Sequence, residues 1–355
     1  MLLRLRQASM GLLALLFALE LLLQVLPVST ATMVGHHHDP DVLTYPSGHR
    51  WTVSTGWDLR NVQHLRANNA GFVANRDFVP DAKAVALIGD SFVEASMLDA
   101  QDRPGPRLEQ LMGGRRPVYA LGGPGSALLD YAERLRLAAT RWQVVDAVLL
   151  LEPTDARQSL CGSGNVHGPC LDRADFRLRT EHRSAPDTIK RIARHSALAQ
   201  YLVGQVRVRP RALWQTMITR IPPGAKAQAA GRPAPEATVE PVDPKDLAQR
   251  RQIVDRVVDR FFEVVAALGM RRLVVLVDGR RDGPPVEPGL ADLDRAHLMA
   301  RLREGGATVV DLEPVFASHK ANSPRSLVVG PYDGHLNAVG VTLAMSAAAA
   351  VLGVT

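Results

Sequence analysis

The sequence predicts an α/β fold, a three-layer α/β/α sandwich around a mostly parallel central sheet, preceded by one N-terminal transmembrane helix. Two observations predict it. From Ala84 onward, short apolar runs alternate with longer amphipathic stretches, the pattern of parallel strands buried on both faces and joined by crossover helices. At the other end, Arg4 and Arg6 precede an almost unbroken apolar run from Met10 to Val28, interrupted only by Glu20 and Gln24. As a helix that run is about one bilayer thick.

Positive charge before the run and almost none just after it predicts a cytoplasmic N-terminus, with everything beyond roughly residue 30 outside. The chain then sits in the inner membrane as a single-pass protein with its bulk in the periplasm or otherwise extracytoplasmic. Small residues at Ser29 to Thr32 leave a rival reading, a cleaved signal peptide and a chain secreted to the periplasm. Residues 31–80, polar and without sustained period, read as a linker and irregular lead-in. The run His36 to His38 lies there and reads as solvated linker, since three consecutive histidines do not converge on one ion without further ligands.

Residues 81–355 read as the main domain. Strands are expected at Ala84–Ile88, Pro117–Leu121, Val144–Leu151, Arg272–Val277 and Thr308–Asp311. Helices are expected near Pro106–Met112, Ala127–Trp142, Asp246–Leu268 and Leu290–Glu304, with a last apolar helix after Asn337. Two stretches interrupt the alternation. Residues 160–217, with the basic run Lys190, Arg191 and Arg194, read as an inserted cap or lid, and residues 221–245, dense in Pro, Ala and Gly, as a surface insertion.

A chain of 355 residues with 46% apolar content can bury a large core. Its formal charge of +6 is spread thinly, arginines alternating with carboxylates, with no basic block interleaved with aromatics. Nucleic acid is therefore not expected as a partner. The two cysteines, Cys161 and Cys170, bracket a glycine-containing loop and suit a loop-closing disulfide in an oxidising compartment. Zinc would need more ligands than that loop and His167 supply. No metal and no cofactor is expected.

The chemistry concentrates at two places. The first strand ends in Gly89-Asp90-Ser91, so a hydroxyl sits where a buried parallel strand opens toward a helix, the edge at which open α/β sheets bind ligands. Val93 occupies the last position of the Gly-x-Ser-x-Gly elbow, so this is not that motif. A serine there is also an ordinary helix N-cap. Near the C-terminus, Tyr332-Asp333-Gly334-His335-Leu336-Asn337 precedes the last helix. Asp333 and His335, two apart in extended chain, project to one side, where a carboxylate can fix the imidazole tautomer and leave its other nitrogen to take a proton from a hydroxyl. The plain alternative is a surface turn with Asn337 as a helix cap.

Together these two blocks resemble the SGNH or GDSL hydrolase superfamily, whose fold is flavodoxin-like. Its first block is Gly-Asp-Ser after the first strand, and its last is an Asp and a His before the final helix. The resemblance implies Ser91 as nucleophile, with His335 and Asp333 as its relay. It also implies an oxyanion hole from the Ser91 N–H, the Gly125 N–H of Leu121-Gly122-Gly123-Pro124-Gly125, and a third donor. Where that donor is usually an Asn amide, Glu152-Pro153-Thr154-Asp155 offers Thr154, so Asn165 is the alternative.

The resemblance spans residues 60 to 350 and is strongest at Ser91, Asp333 and His335. With the Asn-rich lead-in Arg66 to Phe72 and the glutamate in the N-terminal helix, it extends to anchored bacterial members that acetylate or deacetylate exopolysaccharide. The implied activity is that of a serine esterase or O-acyltransferase acting on an acyl ester of an extracytoplasmic glycan. In the transferase case a membrane-embedded partner hands the acyl group outward. Thr154 motivates a second class, an SGNH-fold protein that binds or assembles glycan with little or no turnover.

Overall fold

A computed structural model of the chain describes residues 2–30, 32–163, 168–181, 188–206, 244–281, 289–330 and 333–353. Asn165, His167, Tyr332 and almost all of the 221–245 insertion lie outside the described residues. In chain order the elements are α1 (Leu2–Val25), β1 (Arg50–Thr55), β2 (Arg60–Arg66), β3 (Val85–Gly89), α2 (Ser91–Glu94), α3 (Pro104–Leu111), β4 (Val118–Gly122), α4 (Leu128–Trp142) and β5 (Asp146–Leu151). There follow α5 (Asp155–Gln158), β6 (Pro169–Leu171), β7 (Leu178–Thr180), α6 (Thr188–Ala193), α7 (Ala197–Ala199), α8 (Pro244–Ala266), β8 (Arg272–Val277), α9 (Leu290–Glu304), β9 (Thr308–Asp311), α10 (Glu313–Asn322), β10 (Val328–Gly330), β11 (Asp333–Leu336) and α11 (Ala338–Leu352).

The chain divides into two compact units. The larger comprises residues 32–50, 65–184 and 242–355 and is built on a five-stranded sheet of order β4-β3-β5-β8-β9. Every pairing in it is parallel. Because successive strand side chains point to opposite faces, alternate residues feed two cores. Ala86, Ile88, Leu149 and Val275 pack under α4, α8 and α9, whereas Val85, Leu87, Val148 and Val274 pack under α3, α10 and α11. The result is the three-layer sandwich expected from the sequence. All five expected sheet strands are present, two with the expected bounds, Arg272–Val277 and Thr308–Asp311.

The N-terminal edges of three strands are tied by a buried carboxylate. Asp146, which opens β5, accepts from Arg116 just before β4 at 2.6 Å and from Arg271 just before β8 at 2.5 Å. Cys161 and Cys170 form the disulfide expected from their spacing, next to the β6–β7 pair.

The stretch expected as an irregular lead-in is more ordered than its composition suggests. β1 and β2 pair as a two-stranded sheet, and Tyr45, Phe72 and Phe78 are buried in the larger unit. Phe78 stacks on Tyr119 with ring centroids 4.5 Å apart and meets Trp142 edge-on at 4.9 Å. Such aromatic pairs contribute about 0.5–1.5 kcal/mol beyond the area they bury. Few residues carry this packing, so no period betrays it.

The smaller unit comprises residues 1–31, 51–64 and 185–241. It holds α1, in which Arg6–Val25 is long and apolar enough to cross a membrane, together with most of the β1–β2 pair and the helical segment 188–206. The stretch read as one insertion over 160–217 is thus divided, its β6–β7 part in the larger unit and its helical part in the smaller.

Candidate active site

β3 lies inside the sheet, and the chain leaves it for β4 on one side and returns to β5 on the other. The crevice at such a reversal, beyond the carboxyl ends of the strands, is where an open α/β sheet takes a ligand. Ser91 stands there, as the first residue of the one-turn helix α2. Asp90 caps that helix, its Oδ1 accepting from the Phe92 N–H at 2.8 Å. The turn requires glycine before it: a Cβ on Gly89 would lie 2.5 Å from Val93 Cγ2 and 2.8 Å from the Leu150 carbonyl oxygen. The side-chain cap of α2 thus comes from Asp90, and the Ser91 hydroxyl is not used for it.

The C-terminal block is held by its own antiparallel pair. β10 and β11 run side by side with Gly330 opposite Asp333 and Val328 opposite Leu336. Asn337 then caps α11, accepting from Val339 N at 3.0 Å and Gly340 N at 3.1 Å, while its amide donates to the Ser326 and Val328 carbonyls. Between these anchors, Asp333 and His335 project to one side. Asp333 Oδ1 accepts from the His335 backbone N–H at 3.0 Å and faces His335 Nδ1 at 2.5 Å. His335 Nε2 lies 2.8 Å from Ser91 Oγ.

These contacts order the protons. An ionised carboxylate can only accept, so the Asp333 contact places the proton on Nδ1 and leaves the Nε2 lone pair for the Ser91 O–H. The Phe92 ring, 4.7 Å from the imidazole centroid, packs against one side of it and carries the Arg281 guanidinium 5.4 Å from its own centroid. Arg281 in turn donates to Asp278 Oδ2 at 2.7 Å.

Of the residues expected to form an oxyanion hole, Ser91 and Gly125 have N–H groups to which no acceptor is bonded among the described residues. Gly125 has a φ of +73°, in the left-handed region that suits glycine. Thr154 sits at the N-terminus of α5, and its Oγ1 already accepts from the Gln158 side-chain amide at 3.1 Å. Asn165 lies outside the described residues.

Several residues around Ser91 escaped the sequence reading. Arg134, fully buried in α4, donates from Nη1 to the Gly89 carbonyl and to Ser126 Oγ, both at 2.8 Å. Gly123 N–H also donates to the Gly89 carbonyl, at 3.1 Å, so the Ser91 turn and the glycine loop are tied through one oxygen and one guanidinium. A mid-helix arginine in sequence reads as a solvent-facing residue. The available signal was its place among Tyr131, Leu135 and Ala138, all buried.

Carboxyl groups crowd the same edge. Asp90, Glu152 and Asp155 offer oxygens that all lie within 4.8 Å of one another. Burial holds Asp90 above the usual carboxylate range. Burial, with the charges of Asp90 and Asp278, pushes Glu152 up to about 7. Burial, with the charges of Asp90 and Glu152, pushes Asp155 well above it. The other group of metal-ligating atoms among the described residues is Cys161 and Cys170 with Glu181, and its sulfurs are bonded to each other. His36 to His38 form no such group.

Glu94 closes α2, is fully buried, and accepts from the Tyr45 hydroxyl at 2.9 Å. Burial raises it from its ordinary 4.5 to about 7. Between those values the folded chain keeps a proton that the unfolded chain has released, so stability falls as pH rises through this window and levels off above it. The group accounts for about 3 kcal/mol of that loss, since each tenfold change in proton affinity is worth about 1.36 kcal/mol. Glu94→Gln, which keeps an acceptor for Tyr45, is expected to flatten the decline by this amount in urea titrations of the detergent-solubilised chain at pH 5 and pH 8. Parallel declines in both proteins would refute the assignment.

No family model matches the sequence, and neither does any curated protein. Similar solved structures include an alpha/beta hydrolase from the metagenome of Lake Arreo, Spain, at 12% identity and TM-score 0.41, covering 78% of this chain and 97% of that one. A lipolytic protein of the G-D-S-L family from Veillonella parvula matches at 11% identity and TM-score 0.38, covering 76% and 97%. A carbohydrate acetylesterase from Sinorhizobium meliloti matches at 11% identity and TM-score 0.35, covering 76% and 98%. At these scores the likenesses carry no argument about function, and the fold rests on the sheet order and register given above.

Proposed function

We propose that the chain is a serine-dependent ester hydrolase or O-acyltransferase of the SGNH type, anchored by α1 and acting on an acyl ester of an extracytoplasmic glycan. The observation that carries this reading is the continuous path from Asp333 Oδ1 to His335 Nδ1, at 2.5 Å, and from His335 Nε2 to Ser91 Oγ, at 2.8 Å. The two blocks are separated by more than two hundred residues of chain, and packing alone gives no reason for a hydroxyl, an imidazole and a carboxylate to line up in that order.

In this reading Ser91 Oγ attacks the ester carbonyl carbon as His335 Nε2 takes its proton, and Asp333 stabilises the imidazolium. The carbonyl oxygen, now negative, takes hydrogen bonds from the N–H groups of Ser91 and Gly125. Each such donor supports about a hundredfold to a thousandfold in rate. Collapse of the tetrahedral intermediate returns the proton to the leaving alcohol and leaves an acyl group on Ser91. Water then releases the acid, or a sugar hydroxyl carries the acyl group away. A membrane-embedded partner supplying the acyl group belongs to the second course.

Thr154 favours a second reading, a glycan-binding or assembly protein with little turnover, because a short, freely rotating hydroxyl stands where the third oxyanion donor is usually a fixed amide. The test offers nitrophenyl acetate to the full chain in detergent, with and without an acidic or neutral oligosaccharide acceptor. Nitrophenol release supports the ester reading, and acetylated sugar formed in proportion to acceptor selects transfer. Oligosaccharide binding without nitrophenol release favours the second reading.

A further inference from the structure

Glu20 is the ionisable residue in an apolar run that Gln24 also interrupts, and such a residue needs partners. It has them in a segment far along the chain. Its carboxylate accepts from Ser196 Oγ at 2.8 Å, Ala197 N at 2.8 Å and Leu198 N at 3.0 Å, while Gln24 donates to it at 2.7 Å. Gln24 also donates to the His195 carbonyl at 3.3 Å. Leu23, Val28 and Ala197 are buried together, with Leu198 and Tyr201 against them.

These bonds fix the height of the segment. Glu20 precedes Val25, the last residue of α1, by five positions, about 7.5 Å of helix rise. Ser196 to Leu198, bonded to Glu20, therefore stand within the outermost part of the membrane span, not beyond it. Helices lying in a membrane interface are immersed by about 5–10 Å, the same depth. The segment also meets the demand of that location for bonded backbone, since α6, α7 and the π-helical turn Gln200–Gln205 are helical.

Its side chains divide accordingly. Ile192, Leu202, Val203 and Val206 are exposed, Val203 by 59% and Ile192 by 68%, and Trp57 is 73% exposed on the chain reversal between β1 and β2. The Tyr201 hydroxyl donates to the Trp57 carbonyl at 2.7 Å, and Gln205 donates to Ser54 Oγ and the Gly56 carbonyl, so the reversal and the helical segment are one body. Exposed beside the apolar residues is Arg191, with Arg194 partly exposed. Tryptophan and arginine next to aliphatic side chains are the composition of surfaces at the headgroup boundary.

We propose that residues 188–206, with Trp57, form a second membrane contact that lies in the outer-leaflet interface of an anionic phospholipid bilayer, tied to the span by Glu20. This rests on the anchored reading of α1 given above. In it the glutamate is a tether that holds the segment to the span.

The test uses the full chain in vesicles of phosphatidylethanolamine and phosphatidylglycerol. An environment-sensitive fluorophore is attached to Val203→Cys, to Ile192→Cys in a second variant, and to Arg325→Cys in the larger unit as an aqueous reference. The native cysteines are paired and take no label. Emission from positions 203 and 192 is expected to shift to the blue, to be quenched by nitroxide-bearing lipid and to resist aqueous iodide, with the reverse at 325. Iodide quenching at 203 and 192 equal to that at 325, in a chain that resists carbonate extraction, would overturn the inference and leave the anchor standing. A chain released by carbonate, with the residues before 30 missing by mass, would overturn both.

Discussion

Replacing Ser91 with alanine is expected to lower kcat for nitrophenyl acetate by about a millionfold, the loss typical of removing the nucleophile from a serine–histidine relay. That corresponds to about 8 kcal/mol of transition-state stabilisation at 1.36 kcal/mol per tenfold. The size of the effect follows from what remains. Without Oγ, His335 Nε2 loses the hydroxyl 2.8 Å away and has no proton to take, while the N–H groups of Ser91 and Gly125 stay in place. The variant should therefore bind ester with nearly unchanged KM, and kcat alone should fall. Stability should change little, because Asp90, not Ser91, supplies the side-chain cap of α2. A loss of less than about tenfold, measured on protein with unchanged melting behaviour, would remove Ser91 from the mechanism.

Asp333→Asn is expected to cost about ten-thousandfold in kcat, through the tautomer and not through displacement of the ring. Asp333 Oδ1 now accepts from both the backbone N–H and the ring Nδ1 of His335. An amide can turn its NH2 toward Nδ1, which places the imidazole proton on Nε2 and aims it at Ser91 Oγ. The base then has no lone pair facing the hydroxyl it must deprotonate. Because the defect is one of proton position, activity should recover partly at high pH, where hydroxide substitutes for the base. A loss of tenfold or less, flat with pH, would indicate that Asp333 merely supports the β10–β11 pair.

The sheet was legible because its strands are buried on both faces. Runs such as Val85-Ala86-Leu87-Ile88 and Ala147-Val148-Leu149-Leu150 have no polar alternative, and their amphipathic connections carry the helix period. The two blocks of the site were legible for another reason: a carboxylate two residues from a histidine, before a helix, is a chemical arrangement whatever the strand around it. Elements with thin burial were not legible. α10 buries only Phe316, and β10 is three half-buried residues. The Phe72, Phe78 and Tyr45 anchors lie in polar, glycine-rich chain whose composition hides them. Arg134 was missed because charge in a helix suggests solvent, whereas α4 is covered on nearly all sides.

The bonding of Glu20 illustrates the same limit. The sequence marks it as a polar interruption of an apolar run, and only the fold brings Ser196, Ala197 and Leu198 to it. Thr154 is the reverse case. Its place after β5 is legible in the sequence, but the contact that orients its hydroxyl is not: Gln158, four residues on, donates to Oγ1 and leaves the O–H free to donate elsewhere.

The most direct measurement is covalent trapping. The full chain is treated with a fluorophosphonate, or quenched early in turnover of a slow nitrophenyl ester, and its peptides are sequenced by mass spectrometry. The expected result is a single stoichiometric adduct on Ser91, reduced by Asp333→Asn and absent from a His335→Ala variant. Ester turnover accompanied by an adduct on another residue, or by full labelling of Ser91 when His335 is gone, would contradict the relay on which the proposed activity depends.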